Sequence, residues 1–258
     1  VAVIAKPAQY DALFAALKAG GTTLDERRNF ALEVFRTTAE YDLAIASWLG
    51  TQISTEIPDW FGLIFKRESS LRYGENPHQK GIFYGDIEAL FTKLHGKELS
   101  YNNLLDVDAA VRLMQEYKQD GPTFAILKHN NACGLATRPT LKAAYEDALA
   151  ADPVSAFGGI LIANEEMDLS TATLVNELFC EVLIAPAYSE DALELLRSKK
   201  NRIILIQKEV ELPKTLVRSA LNGYLVQDAD LASETAAQLE VKTKLAPSAA
   251  EIDDLLFA

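Results

Sequence analysis

Three histidines in 258 residues make each a candidate for proton transfer, and His129 is the most sharply placed. It ends the apolar run Phe124-Ala125-Ile126-Leu127, following Lys128, and precedes Asn130-Asn131-Ala132-Cys133-Gly134. A strand exit of this kind puts side chains where open α/β sheets bind ligands, at the carboxyl ends of strands. An imidazole beside an ammonium, followed by amide donors and a glycine, suits acid–base work; the plain alternative is a solvated strand exit. Cys133 reads as a small packing residue rather than a thiol nucleophile. His78 lies in Leu71-Arg72-Tyr73-Gly74-Glu75-Asn76-Pro77-His78-Gln79, a polar run with no apolar period. It reads either as a surface loop or, from its guanidinium, phenol, amides and imidazole, as a set for binding anions and heterocycles. His95, within Lys93-Leu94-His95-Gly96-Lys97, reads as a solvated turn residue.

Other runs combine rigidity with polar groups. Asp152-Pro153-Val154-Ser155-Ala156-Phe157-Gly158-Gly159 joins a helix to a strand. It offers a hydroxyl, an aromatic ring and glycines that allow close backbone approach. Glu181 flanks the apolar run Val182-Leu183-Ile184-Ala185-Pro186, and Lys199-Lys200-Asn201 follows the next helical stretch. Singly, each reads as a turn, a strand flank or a helix-end charge. No Walker loop and no G-x-G-x-x-G is present, and Gly158-Gly159 alone is weak evidence of phosphate binding.

The elements that must position these groups alternate along the chain. Short β-rich runs at 60–65, 81–84, 123–127, 160–163, 182–185 and 202–206 are interleaved with helical periods at 105–117, 141–151, 170–178 and 189–199. This alternation predicts an α/β layered fold whose sheet contains parallel neighbours. Residues 214–227 predict further β structure, and the polar stretch 231–258 one weak helix at 249–257. Ahead of these, residues 1–5 read as a buried strand, and Pro7 opens a helix that stops at Gly20-Gly21. Thr23 or Asp25 caps a long helix whose apolar positions include Phe30, Val34, Phe35, Leu43 and Trp48, and a loop is expected over 50–58. One strand and two helices cannot enclose a core, so this piece must pack on something else.

Acidic residues outnumber basic ones 37 to 25, a net charge of −12, and 49% of residues are hydrophobic. The composition excludes disorder as the main state and argues against non-specific nucleic-acid binding. The length suits one large core or two modest ones. Cys133 and Cys180 form no C-x-x-C pair, so neither a disulfide framework nor a structural zinc site is signalled, and a reduced, cytoplasmic setting is the default. No apolar run approaches the roughly 20 residues that cross a bilayer. The chain begins with Val1, which fits tag removal, processing or a start inside a longer polypeptide.

Five runs taken together resemble, in order and spacing, the bifunctional AICAR transformylase/IMP cyclohydrolase family of de novo purine biosynthesis. They are the run 71–79, Lys97-Glu98-Leu99-Ser100-Tyr101-Asn102-Asn103, Lys128-His129-Asn130-Asn131-Ala132-Cys133-Gly134, the run 152–159 and Ile184-Ala185-Pro186. The resemblance covers essentially the whole chain. It implies that residues 1–60 are the last strand and helices of a methylglyoxal-synthase-like cyclohydrolase domain. Residues 67–230 would be the first of two cytidine-deaminase-like transformylase subdomains, and 231–258 a linker and the start of the second. The chain would then be a central piece of a longer bienzyme, with little or no activity on its own.

The implied reaction transfers a formyl group from the co-substrate 10-formyltetrahydrofolate to the 5-amino group of AICAR, giving FAICAR, which the second activity cyclises to IMP. That amine is a poor nucleophile because its lone pair is delocalised into the imidazole and carboxamide, so a base must take its proton as the new bond forms. Lys128 and His129 match the catalytic pair: His129 suits the base, and Lys128 either stabilises the developing oxyanion or protonates the departing folate nitrogen. Arg72 and Lys200 match positions that hold the nucleotide phosphate. Tyr73, Asn103, Gly158 and Glu181 match positions lining base and ribose, with Ser155 and Phe157 alongside as further substrate-binding positions. Arg72 and Tyr73 would reach into a partner subunit's site, which implies a homodimer. The implied partners are AICAR and folate, with no nucleic acid and no membrane.

Three departures from the family pattern are mild: Ala132 stands where proline is common, Ala187 where glycine is common, and Glu181 where some members have aspartate. A competing reading is a nucleotide-binding or dimerisation module without turnover. Another is a parent protein with transformylase activity only.

Overall fold

The computed structural model describes residues 1–53 and 59–257. Pro7 begins a short 3-10 turn, Pro7–Gln9, which leads into helix α1 (Tyr10–Lys18); the helix stops at Gly20 and Gly21, both at positive φ. Thr23, not Asp25, caps α2 (Leu24–Ile53). Its hydroxyl accepts the Glu26 N–H at 3.2 Å, and the Glu26 carboxylate accepts the Thr23 N–H at 2.7 Å, a reciprocal box that satisfies two orphan donors. Asp25 instead pairs with Arg28. Phe30 is buried, whereas Phe35 and Trp48 are 71% and 62% exposed, so much of the expected apolar face is bare.

Three expectations for this region are corrected. Residues 1–5 form no strand: Val1 and Val3 are exposed, and no strand among the described residues offers them a ladder partner. Helix α2 continues through residues 50–53, the first part of the expected loop; residues 54–58 lie outside the described residues. Residues 60–65 are irregular and mostly exposed, and the strand comes just after them, at β1 (Arg67–Ser70), paired antiparallel with β2 (Ile82–Tyr84).

A six-stranded mixed sheet follows. Its elements in chain order are α3 (Ile87–Leu90), β3 (Phe91–His95), α4 (Tyr101–Glu116), β4 (Thr123–Lys128), β5 (Asn131–Thr137), α5 (Leu141–Ala151), β6 (Ile160–Ala163), α6 (Leu169–Val175), β7 (Val182–Ala185), α7 (Glu190–Leu196) and β8 (Ile203–Gln207). The strand order is β3-β8-β7-β6-β4-β5. Strands β6, β7 and β8 are parallel, while β4 is antiparallel to both its neighbours and β3 is antiparallel to β8. Every residue of β6 and β7 is buried, as continuous apolar runs covered on both faces require. On one face Phe124, Leu161, Leu183 and Ile204 join Tyr145 of α5, Val175 of α6 and Leu196 of α7 in a single core. The alternate residues Ala125, Ile162, Ile184 and Leu205 are buried on the other face, where α4 packs against β4 and β6.

Helix α4 starts one turn earlier than the apolar period suggests because Ser100 caps it. Strands β3 and β5 and the single turn α3 were not expected. His95 is therefore not a turn residue; it ends β3, with its Nε2 3.3 Å from the Lys199 carbonyl oxygen.

The chain divides into two compact units, Val1–Lys208 and Glu209–Ala258. In the second, β9 (Thr215–Ala220) and β10 (Gly223–Asp228) form the expected β structure as an antiparallel hairpin. A 3-10 turn, Ala236–Gln238, and α8 (Ala249–Phe257) complete it. No helix among the described residues is long and apolar enough to cross a membrane.

Candidate active site

Lys128 and His129 sit at the tip of the β4–β5 hairpin. Lys128 pairs with Asn131, leaving His129 and Asn130 as the two loop residues, at φ 52° and 64°. Two successive residues at positive φ are what a type I′ hairpin turn requires. Asparagine tolerates this conformation and histidine does so less readily. The turn is anchored from α4: Asp106 Oδ1 accepts the Asn130 backbone N–H at 2.8 Å. With its orientation assigned from the surrounding acceptors, the Asn130 side-chain nitrogen lies 3.1 Å from both Asp106 Oδ1 and the Leu105 carbonyl. Asn131 Nδ2 donates to the His129 carbonyl at 2.9 Å. His129 is exposed and Lys128 half-buried.

The strand geometry corrects one expectation. His129 does follow the carboxyl end of β4, but β4 runs against β6. Leu127 is opposite Ile160, Ile160 is level with Val182, and Val182 is level with Ile203. The candidate edge therefore carries the amino ends of the three parallel strands, rather than the carboxyl ends that open parallel sheets usually present to ligands. Residues just before β6, β7 and β8 line up with Lys128.

The loop before β6 is closely fitted. Asp152 Oδ1 accepts the Ser155 N–H at 2.9 Å; bonds from the Ser155 side chain and backbone hold the Asp152 carboxyl below its ordinary value. Lys128 Nζ donates to the Phe157 carbonyl at 2.8 Å, binding hairpin and loop together. Gly158, at φ 77°, donates its N–H to the Phe179 carbonyl at 2.7 Å. A Cβ on Gly159 would stand 2.5 Å from the Leu127 carbonyl oxygen, so only glycine lets loop and strand approach this closely. The Phe157 and Phe179 rings lie 5.1 Å apart, tilted at 42°.

Glu181 stands before β7, where its N–H donates to the Gly159 carbonyl at 3.0 Å and its carboxylate pairs with Lys97. Lys200 is exposed before β8 and lines a cavity of about 320 Å³ with Phe179, Lys199 and Arg202. Burial pushes the Cys133 thiol up, with Asp152 adding to the effect and Lys128 opposing it. A thiol held protonated in this way is a poor nucleophile.

Asn103 is buried in the first turn of α4, where it exchanges two bonds of 3.2 Å with Ser100. Arg72 and Tyr73 occupy the loop between β1 and β2. The guanidinium lies over the Tyr73 ring, 4.7 Å from its centroid, and donates to the Tyr73 hydroxyl at 2.8 Å. Asn102 Nδ2 reaches the Glu75 carbonyl at 3.3 Å and ties this loop to the start of α4. The described bonds of Arg72 and Tyr73 do not extend to Lys128 or His129. The structure thus gathers Lys128, His129, Phe157, Gly158, Glu181 and Lys200 along one sheet edge, with Ser155 in the adjoining loop, Asn103 on α4, and Arg72 and Tyr73 paired in their own loop. Asp106, Lys97 and Phe179 join the site as well. Asp106 lies one turn after Asn103, a local signal, and Lys97 opens the run 97–103, but the pairing of Lys97 with Glu181 and the contacts of Phe179 depend on residues distant in sequence.

Comparison with known proteins bears on this constellation. Over 260 residues the chain is 52% identical to the bifunctional purine biosynthesis protein PurH of Bacteroides thetaiotaomicron. It is 43% identical over 261 residues to the PurH of Chloroflexus aurantiacus, and 42% identical over 268 residues to that of Bacillus cereus. All of this chain is matched in each case, but it spans about half the length of these relatives, 50%, 50% and 52% respectively. The family model described as AICARFT/IMPCHase bienzyme matches residues 1–258, and the chain belongs to that family.

Proposed function

We propose that this chain supplies the Lys128–His129 part of an AICAR transformylase that also carries IMP cyclohydrolase activity. The observation that carries the reading is the convergence, on one sheet edge of a chain from this family, of Lys128 and the positive-φ His129-Asn130 turn with the Phe157-Gly158 loop and Glu181. AICAR binds along that edge, and its 5-amino nitrogen attacks the formyl carbon of 10-formyltetrahydrofolate. His129, exposed at the hairpin tip, takes the proton leaving that nitrogen as the new C–N bond forms. The bond from the formyl carbon to the folate nitrogen then breaks, and that nitrogen is protonated. The Lys128 ammonium, held by the Phe157 carbonyl, faces the charge that develops on the formyl oxygen. FAICAR is then cyclised to IMP by the other activity of the bienzyme.

Glu181 and Gly158 line the base and ribose, and Lys200 with Arg72 holds the phosphate. Tyr73, Asn103, Ser155 and Phe157 complete the nucleotide contacts. Because Arg72 and Tyr73 sit in a separate loop, the reading has them serve a second subunit's site in a cytoplasmic homodimer. Residues 67–230 are read as a cytidine-deaminase-like subdomain, and residues 1–60 as the end of a methylglyoxal-synthase-like domain.

The test is the double substitution Lys128→Ala/His129→Ala in a full-length bienzyme containing this sequence. Formyl transfer should fall by about 100-fold or more while cyclohydrolase activity persists. Unchanged transfer would favour a nucleotide-binding or dimerisation module instead. The purified 258-residue chain should show little or no turnover of AICAR with formylfolate.

A further inference from the structure

We infer that Asp106 is a positioning residue for His129, acting through Asn130 and not by touching substrate. The inference rests on the proposed role of His129. It begins from the backbone: His129 and Asn130 both hold positive φ, at 52° and 64°, a conformation that asparagine tolerates but that is unfavourable for histidine. A hairpin with glycine in its loop would avoid this. Here no glycine is present, so the turn needs external restraint. Asp106 provides it: one carboxylate oxygen accepts the Asn130 backbone N–H at 2.8 Å. In the amide orientation assigned from these acceptors, the Asn130 side-chain nitrogen also donates to that oxygen and to the Leu105 carbonyl, each at 3.1 Å.

Helix α4 is a rigid origin for this restraint. It is capped by Ser100 and Asn103, and buries Val107, Ala110, Val111 and Met114 under the sheet. Asp106 therefore transfers the position of a packed helix to an exposed loop. Lys128 is fixed independently by the Phe157 carbonyl at 2.8 Å. With both anchors the ammonium and imidazole hold a defined separation; without Asp106 only the lysine does, and the imidazole samples the ordinary turn conformations. Loss of position at a catalytic group lowers the turnover rate far more than ground-state binding.

The test compares Asp106→Asn, which keeps an acceptor oxygen for the Asn130 N–H, with Asp106→Ala, which does not. In a full-length bienzyme containing this sequence, Asp106→Ala should lower kcat for formyl transfer by about 10- to 100-fold. The KM for AICAR should stay within about twofold and cyclohydrolase activity should be unchanged, since a positioning loss acts on the transition state. Asp106→Asn should recover most of the rate. A rate for Asp106→Ala within twofold of the parent, or an Asp106→Asn variant as slow as Asp106→Ala, would overturn the inference. His129→Ala separates this from failure of the underlying reading: full activity in that variant would dismiss His129 itself. Should Asp106→Ala not fold, hydrogen exchange at the Asn130 amide of the unsubstituted chain decides, with slow exchange expected and exchange at the rate of an exposed loop contradicting the anchor.

Discussion

Lys97, just past β3, and Glu181, just before β7, form an ion pair although β8 lies between their strands. The contact is made possible by Gly96 at φ 94°, where a Cβ would fall 2.0 Å from the Arg202 carbonyl oxygen. The chain leaving β3 thereby crosses close over the start of β8, and the lysine reaches the carboxylate. Both side chains keep about 29% and 28% of their exposure. Pairs of this kind contribute about 0–1 kcal/mol to folding, so the chief effect is to orient Glu181.

Lys97→Met should therefore leave thermal stability almost intact, with Tm lowered by less than about 4 °C. In a full-length bienzyme it should raise the KM for AICAR about threefold or more with kcat within twofold, because ground-state binding is what an oriented Glu181 would supply. An unchanged KM would show that Glu181 needs no help from Lys97.

Gly134 in β5 faces α5, and a Cβ there would sit 2.0 Å from the Ala148 carbonyl oxygen and 2.9 Å from the Ala151 Cβ. Backbone and a fixed methyl cannot turn aside, so Gly134→Ala must push helix from strand, at about 1–3 kcal/mol. Gly50, inside α2 with open space around it, is the control: Gly50→Ala should stabilise by about 0.5–1 kcal/mol. Urea denaturation of the two variants should move in opposite directions.

How much of this was legible in the sequence depended on whether the signal was local. Helix α5 and strands β6 and β7 carry their own caps and continuous apolar runs, and their expected bounds match the structure residue for residue. Strand β5 carries Asn131, Ala132 and Gly134, poor strand formers, and exists because it pairs with β4. The reverse holds for residues 1–5 and 60–65, whose apolar runs lack a ladder among the described residues. The site divides in the same way. Its motifs stood out by composition, but that the Lys128 edge carries the amino ends of β6, β7 and β8 follows from β4 running antiparallel, which no local pattern encodes.

Asp168 caps α6, accepting the Thr171 N–H at 2.8 Å and the Ser170 hydroxyl at 2.9 Å. Burial pushes its carboxyl up, but the bonds from Thr171 and Ser170 outweigh burial and the net shift is downward. A carboxyl lowered on folding stabilises the fold above its unfolded value, about 3.9, and loses that contribution as pH falls through the folded value. Asp168→Asn keeps an acceptor but no charge. The parent should be the more stable at pH 7, and the difference should shrink as pH falls below the unfolded value and through the folded one. Melting curves across that acid range and at pH 7 check this; a gap that persists once the folded carboxyl is protonated would assign it to packing.

Arg202 is 4% exposed, and its two terminal guanidinium nitrogens donate to neutral oxygens: Asn176 Oδ1 at 2.8 Å, the Leu196 carbonyl at 3.3 Å and the Leu178 carbonyl at 3.4 Å. These oxygens lie at the ends of α6 and α7 or just beyond them, where the helix dipoles favour a cation. One planar fork thus satisfies two helix ends beside Lys199 and Lys200, which line the same cavity. Arg202→Leu would bury those acceptors without donors and should cost about 2–4 kcal/mol. Arg202→Lys should recover only part, since an ammonium on a single stem cannot span all three oxygens. Because the bonds are buried, about 1 M salt should leave the loss unchanged, unlike a surface ion pair. Urea midpoints at low and high salt decide the matter: a loss that disappears in salt would reduce the arginine to a surface charge, and no loss at all would remove it from the framework that supports Lys200.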